Sequence, residues 1–363
     1  MTKVQPRILI MAGGTGGHVF PALAVADKLR AEGVEIAWLG TRHGLESRVV
    51  PAANIPLYTI PISGLRGKGA LGWLLAPFRI AYAVLVAMGI VHKLKPGAVL
   101  GMGGFVTGPG GIAGWLLRRP LLVHEQNAIA GLTNKLLARF ADTVMEAFPA
   151  AFSDRYRPVQ TGNPVRKDIA ALASPEQRLA DRHGAIHILV IGGSLGARAL
   201  NEVVPAALAE LDAQARPQVW QQTGKAMHEQ TCADYAARAI PARVDAFIDD
   251  MAEAYAWADV VICRAGALTI AELAAAGVAS ILVPYPHAVD DHQTANARFL
   301  EQAGAAVLLP QEKLTAAVLA EQLHELMHNR ERLLDMAMAA RQQARASATD
   351  DVAKLCLQAM EAA

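Results

Sequence analysis

The chain has 363 residues, 53% of them hydrophobic, with 34 Lys and Arg against 33 Asp and Glu for a net charge of +1. This balance excludes a disordered tail protein and a strongly basic nucleic-acid binder, and the length calls for two domains rather than one. Three cysteines, Cys232, Cys263 and Cys356, lie far apart without a CxxC pair, which argues against a disulfide framework or a structural zinc and fits a reducing cytosol. The N-terminal MTKVQPR runs into a strand pattern with no signal-peptide core.

Ile8 to Met11 reads as a short apolar strand, followed by a turn in which Gly13, Gly14, Gly16 and Gly17 surround Thr15 and lead to His18. A helix is predicted from Ala22 to Arg30, closed by Gly33. Residues 70–91 are apolar, but Pro77 and Arg79 interrupt them and leave about a dozen unbroken residues where a membrane span needs about 20. The segment therefore reads as non-spanning, a hydrophobic loop before a core helix from Ile80 to Val91. Strand-like runs follow at 98–105 and 120–126, the first leading into a third glycine cluster, GMGGFVTGPGG at 101–111.

A proline-rich polar stretch at 159–184 sets the expected boundary near Asn163-Pro164, giving domains 1–163 and 164–342. The second domain repeats the opening: strand Ile188 to Ile191, then Gly192, Gly193, Ser194 and Gly196, then a helix. Further strand-like runs stand at 259–266 and 279–286, and an alanine-rich helical stretch from Leu333 closes the chain, with about 343–363 expected to return to the first domain. Apolar strands alternating with helices predict two doubly wound α/β domains with parallel sheets.

A glycine turn entering a helix exposes unpaired amides and the positive end of the dipole, a seat for phosphate. The dinucleotide pattern GxGxxG fails at Val19, and GGSLGA has no GxG. A Walker loop fails as well, because Gly67-Lys68 precedes Gly69 and Gly224-Lys225 precedes Ala226. Three clusters at strand ends instead suggest a cleft holding more than one phosphate group. HEQNA has Ala128 where a zinc-binding HExxH needs His, and Asp290-Asp291 reads as a cap or a hydroxyl binder, so neither a metal nor another cofactor is expected.

GGTGGHVFPALAVA, GGFVTGPGG, HEQNAIAGLTNKLLARFAD, TGNPVR, GGSLGARALN, CRAGALTIAEL and DDHQTANA resemble, in order and spacing over nearly the whole chain, the MurG family of peptidoglycan glycosyltransferases. The resemblance implies a GT-B fold, two Rossmann-like domains with a cleft between them, and transfer of N-acetylglucosamine from UDP-N-acetylglucosamine to undecaprenyl-pyrophosphoryl-N-acetylmuramoyl-pentapeptide, lipid I becoming lipid II. By the same resemblance the donor meets Thr15, Gly16, Gly17, Asn127, Arg166, Ser194, Phe247, Ile248, Leu268, Thr269, Glu272, His292 and Gln293. The acceptor meets Gly14, Thr15, His18, Gly103, Gly104 and Phe105. On the residues alone Glu272 reads equally as a first-turn helix carboxylate, Ser194 as a cap, and Asn127 and Gln293 as turn and surface amides. Phe105 replaces a common Tyr, Thr107 a common Ser, and His292 a Gln of some members.

An α-linked donor and a β-linked product imply one in-line displacement with inversion, assisted by a base and by stabilisation of the leaving diphosphate. His18 is the candidate base and Glu125 its rival. Leu71, Trp73, Leu74, Leu75 and Phe78, flanked by Arg66, Lys68 and Arg79 and by Lys135 and Arg139, form an expected interface with anionic lipid. The implied location is the cytoplasmic face of the bacterial inner membrane, as a peripheral protein beside cell-wall and division proteins. A UDP-N-acetylglucosamine 2-epimerase-like enzyme and a non-catalytic UDP-sugar binder are the alternatives.

Overall fold

The structure is a computed structural model that describes residues 5–63, 75–193, 196–288 and 291–362. The chain forms two compact units, Met1–Arg166 with Ser347–Ala363, and Lys167–Ala346. In chain order the first contains β1 (Arg7–Met11), α1 (Gly16–Ala31), β2 (Glu35–Gly40), α2 (Glu46–Ala52), β3 (Leu57–Thr59), α3 (Ala76–Leu94), β4 (Ala98–Gly101), α4 (Thr107–Leu116), β5 (Leu121–Glu125), α5 (Leu132–Leu137), β6 (Thr143–Glu146) and β7 (Val159–Gln160). The second contains α6 (Lys167–Ala170), α7 (Pro175–Leu179), β8 (His187–Ile191), α8 (Arg198–Ala209), β9 (Gln218–Gln222), α9 (His228–Ala237), β10 (Arg243–Asp245), α10 (Met251–Trp257), β11 (Val260–Cys263), α11 (Ala267–Ala276), β12 (Ala279–Leu282), α12 (His292–Gln302), β13 (Ala306–Leu308), α13 (Ala316–Met327) and α14 (Arg330–Gln342). The final helix, α15 (Ala348–Glu361), belongs to the first unit.

Every paired strand runs parallel to its neighbours, in the orders β3-β2-β1-β4-β5-β6-β7 and β10-β9-β8-β11-β12-β13. A parallel sheet is covered on both faces, so its strands are apolar throughout. In β1, Ile8 and Ile10 enter a core shared with α1 and α15, whereas Leu9 and Met11 enter the opposite core with α3 and α4. Strand order reverses between β1 and β4, and again between β8 and β11, the points where open α/β sheets bind ligands. Met11 pairs with Gly101 and Ile191 with Cys263, so the two loops at each reversal leave the sheet side by side.

Three elements differ from the sequence reading. Helix α1 starts at Gly16 instead of Ala22 and carries Pro21 inside it, forgoing one ladder hydrogen bond. His18 therefore stands on the first helical turn. Helix α3 is not broken by Pro77, which occupies its first turn where a missing N–H costs nothing, and it runs 19 residues, long and apolar enough by length and composition to cross a membrane. Nor is α3 an internal helix: Ala83, Ala87, Val91 and Leu94 face the core, while Phe78, Tyr82 and Leu85 are exposed. The predicted helix from Leu333 onward is two helices, because the chain passes from one core to the other after Ala346. Helix α15 packs Val352, Ala353 and Cys356 against the β1 side of the first core, and Lys28 Nζ on α1 pairs with Asp350 at 2.9 Å. Burial pushes the Cys356 thiol up to about 12, which removes it from redox chemistry.

Candidate active site

The first domain builds its candidate site from two glycine turns in close main-chain approach. Gly104, at φ +84°, lies so close to the first turn that a Cβ there would stand 2.2 Å from the Gly13 carbonyl oxygen. The first turn is shaped from below by Glu46, fully buried at the start of α2, whose carboxylate accepts from Gly14 N at 3.0 Å, Thr41 N at 2.9 Å and Thr41 Oγ1 at 2.7 Å. Thr107 Oγ1 donates to Gly103 O at 2.8 Å, fixing the second turn. Thr15 precedes α1 in extended conformation and places no side-chain cap on it. The His18 ring lies against Gly103, where a Cβ would stand 2.4 Å from Nδ1. His18 Nδ1 is 2.9 Å from Gln126 Oε1, and Gln126 Nε2 donates to Met102 O at 2.7 Å. Phe105 projects from the same turn with its ring exposed.

Glu125 is occupied as the organiser of the HEQNA turn. Its Oε1 accepts from Asn127 N at 2.9 Å and Asn127 Nδ2 at 3.1 Å, and its Oε2 from Gly131 N at 3.0 Å and Asn134 Nδ2 at 2.8 Å. Four donors fix this carboxylate in place as the organiser of the turn. His124 is buried beside it, and its Nε2–H donates to Gly162 O at 2.9 Å while Nδ1 has no partner among the described residues. Burial lowers its pKa to about 4. Between pH 6.5 and 4 the unfolded chain therefore binds a proton that the folded chain refuses, so stability rises with pH across that window and is level above it. The full difference is about 3 kcal/mol. His124→Gln, which retains a donor for Gly162 O, is expected to flatten this acid slope in denaturant titrations at pH 7, 5.5 and 4; an unchanged slope would assign the slope to other groups.

The second domain repeats the device. Gly192 and Gly193 follow β8, and Gly196, at φ +79°, abuts the end of β9 so tightly that a Cβ would stand 1.9 Å from Thr223 O. Gln222, buried at the end of β9, donates from Nε2 to Gly193 O at 2.9 Å and accepts from Ile248 N at 2.9 Å, joining the glycine turn to the Phe247-Ile248 segment. The Phe247 ring is exposed and Ile248 buried. After β11, Gly266 stands in extended conformation before α11 without a side-chain cap, so the first turn, with Leu268 and Thr269, is presented by main chain alone. Glu272 lies one turn further on, not in the first turn, and its Oε2 accepts from Tyr255 OH at 3.0 Å. Gln293 Oε1 accepts from Tyr285 N at 2.9 Å, and Asn296 Nδ2 donates to Ala265 O at 3.1 Å, tying α12 to the loop before α11.

Residues 8–146 match the glycosyltransferase family 28 N-terminal domain, and residues 187–352 its C-terminal domain. The chain belongs to glycosyltransferase family 28, among the MurG enzymes. A curated relative from Nitrosococcus oceani, named UDP-N-acetylglucosamine–N-acetylmuramyl-(pentapeptide) pyrophosphoryl-undecaprenol N-acetylglucosamine transferase, is 55% identical over 97% of this chain and 98% of its own length. A relative of the same name from Marinobacter nauticus is 56% identical over 97% of each. The crystal structure of Acinetobacter baumannii MurG superposes with a TM-score of 0.84 at 45% identity, covering 97% of this chain and 99% of that one.

This family 28 glycosyltransferase has the GT-B fold expected of it. Its first domain brings Gly14, Thr15, Gly16, Gly17, His18, Gly103, Gly104 and Phe105 to one sheet reversal, with Asn127 on the turn after β5. Arg166 ends the first of that domain's two chain segments. The second domain gathers Phe247, Ile248, Leu268, Thr269, Glu272, His292 and Gln293 at loops and helix starts on the carboxyl side of its strands. Ser194, Asp290, Arg66, Lys68, Leu71, Trp73 and Leu74 lie outside the described residues. Sequence reasoning passed over Glu46, Gln126, Gln222 and Tyr255, of which the two glutamines carried a readable signal as amides closing or just beyond buried strands.

Proposed function

We propose that this family 28 enzyme transfers N-acetylglucosamine from UDP-N-acetylglucosamine to the muramoyl hydroxyl of lipid I, giving lipid II with inversion at the anomeric carbon. The observation that carries the reading is His18, clamped on the first turn of α1 between Gly103 and Gln126. There an imidazole can take the acceptor hydroxyl's proton while that oxygen attacks the sugar carbon and the bond to UDP breaks. Main-chain amides at the Gly193–Gly196 turn and at the start of α11 supply the counter-charge for the departing diphosphate. Family membership and near-full-length identity to transferases favour this reading over the epimerase and the non-catalytic binder. Labelled UDP-N-acetylglucosamine and a short-chain lipid I analogue should give a β-linked disaccharide, and an α-linked product or mere sugar epimerisation would refute it. The mechanism uses no metal: turnover should be unchanged in excess chelator, and loss of activity restored by a divalent ion would overturn that point.

A lipid acceptor accounts for the outer face of the first domain. Phe78, Tyr82 and Leu85 on α3, and Leu132, Leu136 and Phe140 on and after α5, are exposed, with Arg79, Lys135 and Arg139 exposed among them. A groove of about 240 Å³, lined by Ile62, Arg79, Ile80, Phe105, Ile112 and Leu136 among others, links these helices to the Phe105 end of the glycine turn. Apolar side chains with basic neighbours suit an anionic interface and support a peripheral location on the cytoplasmic face of the inner membrane, the setting in which cell-wall and division proteins would be its partners. Phe78→Glu with Leu85→Glu should reduce sedimentation with phosphatidylglycerol vesicles at least about tenfold, since burying each large side chain is worth roughly 1.5–3 kcal/mol. Unchanged binding would move the interface elsewhere.

A further inference from the structure

The bond between His18 and Gln126 has its direction set by a second bond. Gln126 Nε2 donates to the Met102 carbonyl, so it is Oε1 that meets His18 Nδ1 at 2.9 Å. An amide oxygen only accepts, and Nδ1 must therefore carry the ring proton, leaving the lone pair on Nε2. The frame behind this arrangement is tied down on both sides. Met102 N donates to Met11 O at 2.8 Å, locking the carbonyl strand segment to the end of β1, and the Gln126 carbonyl accepts from Asn163 Nδ2 at 2.9 Å. Gly103 supports the face of the ring, and no other residue type would leave room for it there. Gln126 is buried, so water does not compete for its amide.

We infer that Gln126 is a positioning residue that fixes the Nδ1–H tautomer of His18 and so makes Nε2 the proton-accepting nitrogen. The inference deepens the transferase reading above and rests on it for its catalytic consequence. As the acceptor oxygen bonds to the anomeric carbon and the sugar's bond to UDP breaks, Nε2 takes the hydroxyl proton. The resulting imidazolium keeps its Nδ1–H on the Gln126 oxygen, which stabilises the new charge where it forms. The titratable neighbours are accounted for: His124 on β5 senses the His18 charge and is itself kept neutral by burial, and Glu125 is committed to the four donors of its turn.

The test combines nitrogen NMR of the full-length protein labelled with ¹⁵N-histidine, His18 assigned by difference with His18→Ala, and kinetics of two variants. The wild-type protein should show His18 in the Nδ1–H form. Gln126→Leu should shift it toward the Nε2–H form and lower kcat at least about tenfold, with KM for UDP-N-acetylglucosamine unchanged. Gln126→Glu places a carboxylate on Nδ1–H, favours the imidazolium, and should move the rising limb of the kcat–pH profile up by about one unit. A purely structural glutamine would move neither the spectrum nor the pH limb. A wild-type His18 in the Nε2–H form, or Gln126→Leu with wild-type kcat and tautomer, overturns the inference. If instead His18→Ala retains near-normal turnover, the base assignment falls while the wild-type spectrum still decides the tautomer, so the two failures are distinguishable.

Discussion

His18→Ala is expected to lower turnover by about 10²–10⁴-fold, the usual contribution of a placed proton acceptor, while leaving the affinity for UDP-N-acetylglucosamine unchanged. The side chain is half-buried on an exposed helix turn, outside the clusters that form the core, so its removal leaves the fold intact. The groups assigned to the nucleotide, at Gly193–Gly196, Ile248 and the start of α11, belong to the other compact unit. Isothermal titration with the donor, thermal unfolding and steady-state turnover on one preparation separate these effects. Near-normal turnover would remove His18 from the reaction, and with Glu125 already saturated by donors the proton would have to leave through water or the substrate itself.

Gly196→Ala should abolish measurable donor binding with little loss of overall folding. The new Cβ meets the Thr223 carbonyl at 1.9 Å, and the residue already sits at φ +79°, where a side chain costs about 1–2 kcal/mol before any collision. The carbonyl cannot retreat cheaply, since it accepts from Asn201 Nδ2 at 2.9 Å, part of a buried amide chain that continues through Gln221 to Tyr235. The glycine turn must move instead, and with it the amides that would meet the diphosphate. Gly184→Ala is the matched control, because Gly184 has φ +84° but open space around its Cβ position. Donor affinity should fall at least about a hundredfold for Gly196→Ala, roughly 2.7 kcal/mol, and stay unchanged for Gly184→Ala. Equal behaviour of the two would show that backbone strain, not the Thr223 collision, governs the turn.

The sheets were legible because parallel strands are buried on both faces, so runs such as Ile8 to Met11 and Ile188 to Ile191 stand out without any partner being known. The glycine turns were legible for a related reason: only glycine tolerates the main-chain contacts at Gly104 and Gly196. What the residues concealed depends on distant partners. Pro21 marks a helix start in isolation, yet packing of Val19, Ala22 and Val25 draws it inside α1. Glu125 looks like a free acid until Asn134 and Gly131 arrive to fill it, and Glu272 looks like a dipole partner until Tyr255 is placed beside it. Gln126 lay inside a quoted motif, but its meaning required Met102, twenty-four positions away.

Helix α15 completes the core that β1 begins, so segments far apart along the chain share one hydrophobic interior. On the ribosome, where segments emerge in order at about 5–20 residues per second, the earlier-made part of the first domain must therefore wait for α15 before it can close. A nascent chain stalled after Ala346 leaves the seat of Val352, Ala353 and Cys356 bare, a surface for chaperones to hold until α15 arrives.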